Sequence, residues 1–404
     1  MSREETEAGG GNLGLRPAIP GRSGGLTRLL CGIKHAMRRT APIMAALVAV
    51  LPVSCVDTSL PDISRELGEG RTDGPFCSPD ELAEFPPEEL RLHLIDIGQG
   101  DALWIQTPYY DSMLLESRNI LIDAGPSGSV PGTSPGGDIV VDYLLQHGLT
   151  VGDPIHALII THAHEDHYGG APTIASTFEI ERYVDPGFAA DSQGFLAARA
   201  AAESDVRRLQ GQVAVPAVGE LVPRVFAATD IFGEYVEAQL LWAAATPPSG
   251  NVSSPSGTDI NNTSVAFALR WNLSQVLLLG DLEKEVEAAL IAGHDSGELS
   301  LTSRVLKVAH HGSSSSSTRG FLARVFPSKT DQDWAVISSG RRTFNGVTLP
   351  TDETLLNLAE VLQPNHILST ENRDDIKNAG TEHGDDHILV RIMADGRVEA
   401  CYGF

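Results

Sequence analysis

Ala157-Leu-Ile-Ile160, Thr161, His162-Ala-His164-Glu-Asp166-His167 and Tyr168-Gly-Gly170 run continuously near the middle of the 404-residue chain. The apolar run reads as a buried strand, and the strand delivers three histidines and a carboxylate into one short loop. Neutral imidazoles and carboxylates are the donors that zinc and similar divalent ions take, and this spacing lets a single loop present all of them. A histidine-rich surface loop is the alternative. The apolar strand before the loop and the tight exit offered by Gly169 and Gly170 weigh against it.

The pattern His162-x-His164-x-Asp166-His167 resembles the signature of the metallo-β-lactamase-fold hydrolases, with Thr161 before it and Gly169-Gly170 after it fitting as well. The resemblance implies that His162 and His164 hold one ion and that Asp166 and His167 hold a second. Upstream, Asp96-Ile-Gly98-Gln99-Gly100-Asp101-Ala102 and Leu121-Ile-Asp123-Ala-Gly125 are similar to the extracytoplasmic hydrolase domain of ComEC-type competence proteins. There the position of Asp123 supports the metal loop without binding metal. On its own, an aspartate at a strand end is more often a turn former.

Downstream, Asn261-Asn262-Thr-Ser264 leads a strand whose Val265, Phe267 and Leu269 share one face. A second strand, Val276–Leu279, ends in Gly280-Asp281. Asp281 would serve as the N-cap of the following helix. By resemblance it is instead the aspartate that bridges two ions, and that role is preferred. Arg304–Ala309 then delivers His310-His311-Gly312-Ser313 and a serine run to Ser317. Strand alternation points the two histidines apart, so only one is assigned to the second ion. The expectation is His310 as ligand and His311 as a proton-transfer or substrate-contact residue, with Asp123, Asn262 and Ser313 supporting from behind. Many relatives place a further histidine for the first ion between the metal loop and Asp281, and none occurs here between His167 and His294. Thr348-Leu349-Pro350 stands where the competence domains carry Gly-His-Pro. His366, His383 and His387 are possible replacements, each more simply read as structural. His147, near the end of a helix over 139–147, suits the helix dipole.

The rest of the chain sets the context. The net charge is −24, which disfavours a nonspecific grip on long nucleic acid. Met37-Arg-Arg39 followed by the apolar run Ile43–Leu51 reads as a secretory signal, too short to span a bilayer. Met37 stands as an alternative start. Val53-Ser54-Cys55 resembles a bacterial lipoprotein cleavage box, despite the unusual Pro52, which makes Cys55 the candidate lipid anchor and the only membrane attachment expected. Ordinary cleavage to a secreted product is the alternative. Residues 55–404 carry 22 basic and 50 acidic residues, a net −28. Cys77 and Cys401 would then remain as a disulfide or as two buried thiols.

Residues 1–54 are therefore read as an upstream extension with its export signal, 55–89 as a flexible tether, and 90–404 as the hydrolase domain. Strands alternating with helices make this an α/β chain, and the resemblance implies a four-layer αββα sandwich. The expected protein is an exported hydrolase of the bacterial envelope, using metal-activated water on a phosphodiester as a nuclease or phosphodiesterase. Zinc is the expected cofactor, one or two ions, with manganese as the alternative. Metal His162, His164, Asp166, His167, Asp281 and His310 would carry the chemistry, with Asp166 and His311 acting on the substrate. A short anionic substrate is expected, single-stranded nucleic acid among the candidates. A lactam or lactone hydrolase and a non-catalytic metal-containing binding module are the competing readings.

Overall fold

The computed structural model describes residues 75–403 except 79–80, 82–85, 87, 109–116, 130–134, 191, 210–211, 215–235, 341–342, 345, 372–383 and 385. The export signal, Cys55, most of the 55–89 segment and His383 lie outside the described residues. No helix among the described residues is long and apolar enough to cross a membrane.

Among the described residues, fourteen strands build two large sheets. The chain lays down β1 (Glu89–Leu94), β2 (Leu103–Gln106), β3 (Asn119–Ile122), β4 (Ala157–Ile159), β5 (Arg182–Val184) and β6 (Gln212–Ala214). It continues through β7 (Glu237–Trp242), β8 (Ala266–Trp271), β9 (Ser274–Leu278), β10 (Val305–Lys307), β11 (Trp334–Ile337) and β12 (Ile367–Ser369). A closing hairpin, β13 (Ile388–Met393) and β14 (Val398–Tyr402), returns to the first sheet. The strand order is β14-β13-β1-β2-β3-β4-β5-β6 in one sheet and β12-β11-β10-β9-β8-β7 in the other.

Period-two alternation explains why the sheets stack. Leu90, Leu92 and Leu94 of β1, Ile120 and Ile122 of β3, Phe267 and Leu269 of β8, and Val276 and Leu278 of β9 share one buried cluster between the sheets. The intervening Trp104, Leu121 and Leu158 face the opposite way. There they pack under α1 (Gly136–Gln146), α2 (Ala171–Thr177) and α3 (Gln193–Arg208). Leu277 and Leu306 do the same on the other sheet, under α4 (Lys284–Ser296), α5 (Arg319–Val325) and α6 (Asp352–Val361). These three clusters are the seams of an αββα sandwich, the architecture that the family resemblance implies.

The parallel pairs position the site. In β3 with β4, Ile122 lies opposite Ile159, and in β9 with β10, Leu278 lies opposite Lys307. Chain leaving these strands emerges at one edge of the sandwich, so the loops carrying Asp123, His162, Asp281 and His311 become neighbours. The two sheets are tied there by a backbone hydrogen bond from Val265 to the Thr161 carbonyl, 2.9 Å.

Cys77 and Cys401 form a disulfide. Around it, the Cys77 amide donates to the Tyr402 carbonyl and the Tyr402 amide to the Pro75 carbonyl, each at 2.8 Å. The described end of the segment read as a tether is thus fastened along β14.

Candidate metal centre

Thr161 leaves β4 directly into the histidine loop, and His164 begins a single helical turn, Glu165–Tyr168. That turn brings Asp166 and His167 back over His162. Three imidazoles are held in one tautomer by what lies behind them. The Nδ1 of His167 donates to Asp123 Oδ2 at 2.8 Å. Thr161 Oγ1 donates to the same carboxylate oxygen at 2.8 Å and accepts from His162 Nδ1 at 3.0 Å. His311 Nδ1 donates to the Ser338 carbonyl at 2.9 Å. All three Nε2 atoms therefore turn lone pairs toward the same point, and His164 adds its Nδ1 at 3.0 Å from His162 Nε2.

Asp281 occupies that point. Its Oδ2 lies 3.3 Å from His167 Nε2, 3.5 Å from His311 Nε2 and 3.8 Å from His162 Nε2. Asp281 is buried and its Oδ1 has no hydrogen-bond partner. His311 Nε2 is also 3.5 Å from Asp166 Oδ2 and 3.3 Å from His167 Nε2. Buried lone pairs facing one another at such distances repel unless a proton or a metal cation lies between them. The donor set of imidazoles and carboxylates, with that orphaned oxygen, fits one or two divalent ions. His162, His167 and Asp281 form one triplet with donor atoms within 4.8 Å of one another, and Asp166, His167 and His311 form another.

The charge state follows the same geometry. Burial pushes His162 and His164 below the ordinary histidine range. Burial acts the same way on His167, but Asp281 and Asp123 overcome it and raise this ring well above that range, so that without an ion a proton on Nε2 faces Asp281, and a bound cation would take that proton's place. Burial would raise Asp281 and Asp166, yet the surrounding histidines hold both below the usual carboxylate range. Asp123 moves the other way, raised by a burial that His167 only partly offsets. The carboxylates that face the donor nitrogens are thus kept ionised.

One assignment is corrected. His310, expected as the ligand, turns away from the cluster: its Nδ1 meets Ser315 Oγ at 2.9 Å and its Nε2 lies 3.4 Å from Asn261 Nδ2. His311 takes the place among the donors. The strand ends at Lys307, and His310 and His311 both adopt left-handed backbone, φ +51° and +53°. Strand alternation therefore has no bearing on their directions. Nor does Asp281 cap a helix, because the N-cap of α4 is Glu283. Asn262 accepts from the Glu283 amide at 2.9 Å and so fixes the turn after Asp281. Ser313 accepts from the Ser315 amide at 3.3 Å, beside His310 rather than the donor cluster.

His366 stacks on Trp334 with ring centres 4.1 Å apart, and His387 Nδ1 accepts from the Asp96 amide. Neither joins the cluster. His147 closes α1, its Nδ1 bonded to the Tyr143 carbonyl, as its position suggested. Sequence reading passed over Asp101 and Lys307. Asp101 Oδ1 lies 3.6 Å from His311 Nδ1, and its other oxygen is paired with Lys307 Nζ. The only signal for Asp101 was its place in the Gln-Gly-Asp turn.

Comparisons with known proteins place the chain in a family. The chain is 28% identical over 263 residues to ComE operon protein 3 of Bacillus subtilis, covering 63% of this chain and 29% of that protein. A metal-dependent hydrolase of Polynucleobacter asymbioticus is 34% identical over 86 residues, 21% of this chain and 27% of the relative. The chain therefore spans less than a third of the length of either. Among solved structures, the diiron β-hydroxylase CmlA of Streptomyces venezuelae aligns with a TM-score of 0.31 at 15% identity, over 56% of this chain and 35% of that one. The model of the metallo-beta-lactamase superfamily matches residues 109–327, more than half of the chain. With its two-sheet sandwich and its cluster of histidines and aspartates, the chain belongs to the metallo-beta-lactamase superfamily.

Proposed function

We propose that this protein is an exported phosphodiesterase or nuclease that uses zinc at two adjacent positions. The observation that carries the reading is Asp281, a buried carboxylate within 3.3–3.8 Å of donor nitrogens from both halves of the cluster. His162 and His164 would hold one ion and Asp166, His167 and His311 the other, with Asp281 placed to serve both. Bound divalent ions supply hydroxide at neutral pH and polarise a phosphoryl oxygen. Thr161, Asp123 and Ser338 keep the three buried rings in the one tautomer that leaves Nε2 free to bind. Asp166 is the donor carboxylate most open to solvent, its side chain 26% exposed, and orients the attacking water as well as binding. His310, released from the ligand role and 24% exposed, takes over the substrate contact. Export is supported by the Cys77–Cys401 bond, since disulfides persist in oxidising compartments.

The test is hydrolysis of bis-nitrophenyl phosphate, single-stranded DNA and a chromogenic lactam by the purified protein with zinc or manganese. The expected outcome is phosphodiester turnover that falls at least about 100-fold in Asp281→Ala, because the charge shared between the ions is lost. Turnover of the lactam alone would replace this reading with the lactamase one.

A further inference from the structure

The two halves of the metal cluster come from different sheets, and one buried ion pair joins those sheets directly behind it. Lys307 ends β10 with its side chain directed into the space between the sheets, and its ammonium pairs with Asp101, which precedes β2 in the other sheet. Both residues are about 95% buried, at 5% and 4% exposure. Lys307 and Arg91 are the buried lysine and arginine among the described residues, and Arg91 is taken up by Glu89.

Asp101 is wired to both halves. Its amide donates to the Asp166 carbonyl at 3.1 Å, and its own carbonyl accepts from Gly125 at 2.9 Å. Its side chain stands against the rear of the two rings that meet at the cluster, 3.6 Å from His311 Nδ1 and 3.9 Å from His167 Nδ1. Neither ring donates to it, because Ser338 and Asp123 already take those protons. Asp101 Oδ1 accordingly has no hydrogen-bond partner. Without Lys307 this carboxylate would be an unpaired buried charge with two imidazole N–H groups in reach. It would compete with Ser338 and Asp123 for them.

We infer that Lys307 is a positioning residue of the metal centre: its ammonium engages Asp101, holds the two sheets in register beneath the site, and prevents Asp101 from pulling His311 and His167 off their donor geometry. The inference rests on His167 and His311 being ligands, and the test separates the two. Lys307→Met is close in length, and a cavity of about 20 Å³ lined by Lys307, Asp101, Asp123 and Thr161 gives the new side chain room.

Metal affinity is measured by chelator competition on the full chain, and the ligand field by the visible spectrum of the cobalt-substituted protein. Lys307→Met is expected to weaken the second ion about 10- to 100-fold and shift its cobalt bands, as changes behind ligating histidines do. The double variant Lys307→Met with Asp101→Asn, which removes both charges, is expected to recover much of that affinity. A purely structural role would lower resistance to urea in the metal-free protein and leave the affinity and spectrum of the folded protein unchanged. Unchanged affinity and spectrum in Lys307→Met overturn the proposal. If the single variant does not fold, the double variant is decisive: its second ion within about tenfold of wild type supports the proposal, and a larger loss overturns it. His311→Ala is the control for the ligand assignment: if it retains both ions at full affinity, that assignment fails, whatever Lys307 does.

Discussion

At the scale of single residues, the two adjacent histidines show what sequence can and cannot carry. His162, His164, Asp166 and His167 were legible because their spacing on one loop is itself the motif, and the structure gathers them as that spacing implies. His310 and His311 were not separable, because their directions are decided by backbone angles rather than by side-chain type. Left-handed backbone at two successive non-glycine residues costs roughly 1–3 kcal/mol each. Only the closing of the turn by Gly312, φ +80° against Pro350, and the packing around it make that conformation specific. The same turn decides a measurable difference. His311→Ala should lose one equivalent of bound metal and at least about 100-fold in turnover. His310→Ala should keep full metal content while losing activity through KM or kcat. Metal analysis by plasma emission on the two variants checks this, and equal metal loss in both would contradict the placement.

At the scale of elements, alternation and punctuation were enough for the strands but not for the reason behind every glycine. The strand with Val265, Phe267 and Leu269 on one face, the strand ending at Gly280 and the closing hairpin over Asp395-Gly396 all form as their patterns require. Gly169 and Gly170 were read as suiting a tight exit from the metal loop. Their backbone angles, φ −58° and −82°, are ones any residue adopts. What they provide is proximity: a Cβ on Gly170 would sit 2.1 Å from the Ala124 carbonyl and 2.5 Å from the Cα of Gly137, where α1 crosses α2. Contacts between residues 124, 137 and 170 are long-range and leave no local trace in composition. Gly170→Ala should therefore destabilise the fold by about 3 kcal/mol through overpacking against backbone that cannot move aside. It should also displace the metal loop, since the Ala124 amide donates to the His167 carbonyl at 2.7 Å. A denaturant midpoint within error of wild type would show that the crossing has slack.

For the whole molecule, the net charge of −24 and the proposed anionic substrate pull against each other, and the balance can be read from salt. A protein that grips nucleic acid through lysines and arginines loses affinity steeply as salt rises, because counterions are released on binding. Here the long-range field opposes an approaching phosphodiester, while attraction is confined to the cluster of donors and the cations they would hold. Screening acts on the first more than on the second: the Debye length is about 8 Å at physiological ionic strength, shorter than the distance over which surface charges act and longer than the contacts inside the site. Raising ionic strength from about 20 to about 200 mM should therefore lower KM for a short phosphodiester by roughly two- to fivefold. A neutral phosphotriester should show no such dependence, and both are measured by steady-state kinetics at constant free metal. A KM that rises with salt for the diester would mean that a local basic surface guides the substrate. Such a surface would have to be gathered locally from the 29 lysines and arginines of a chain that carries 53 acidic residues.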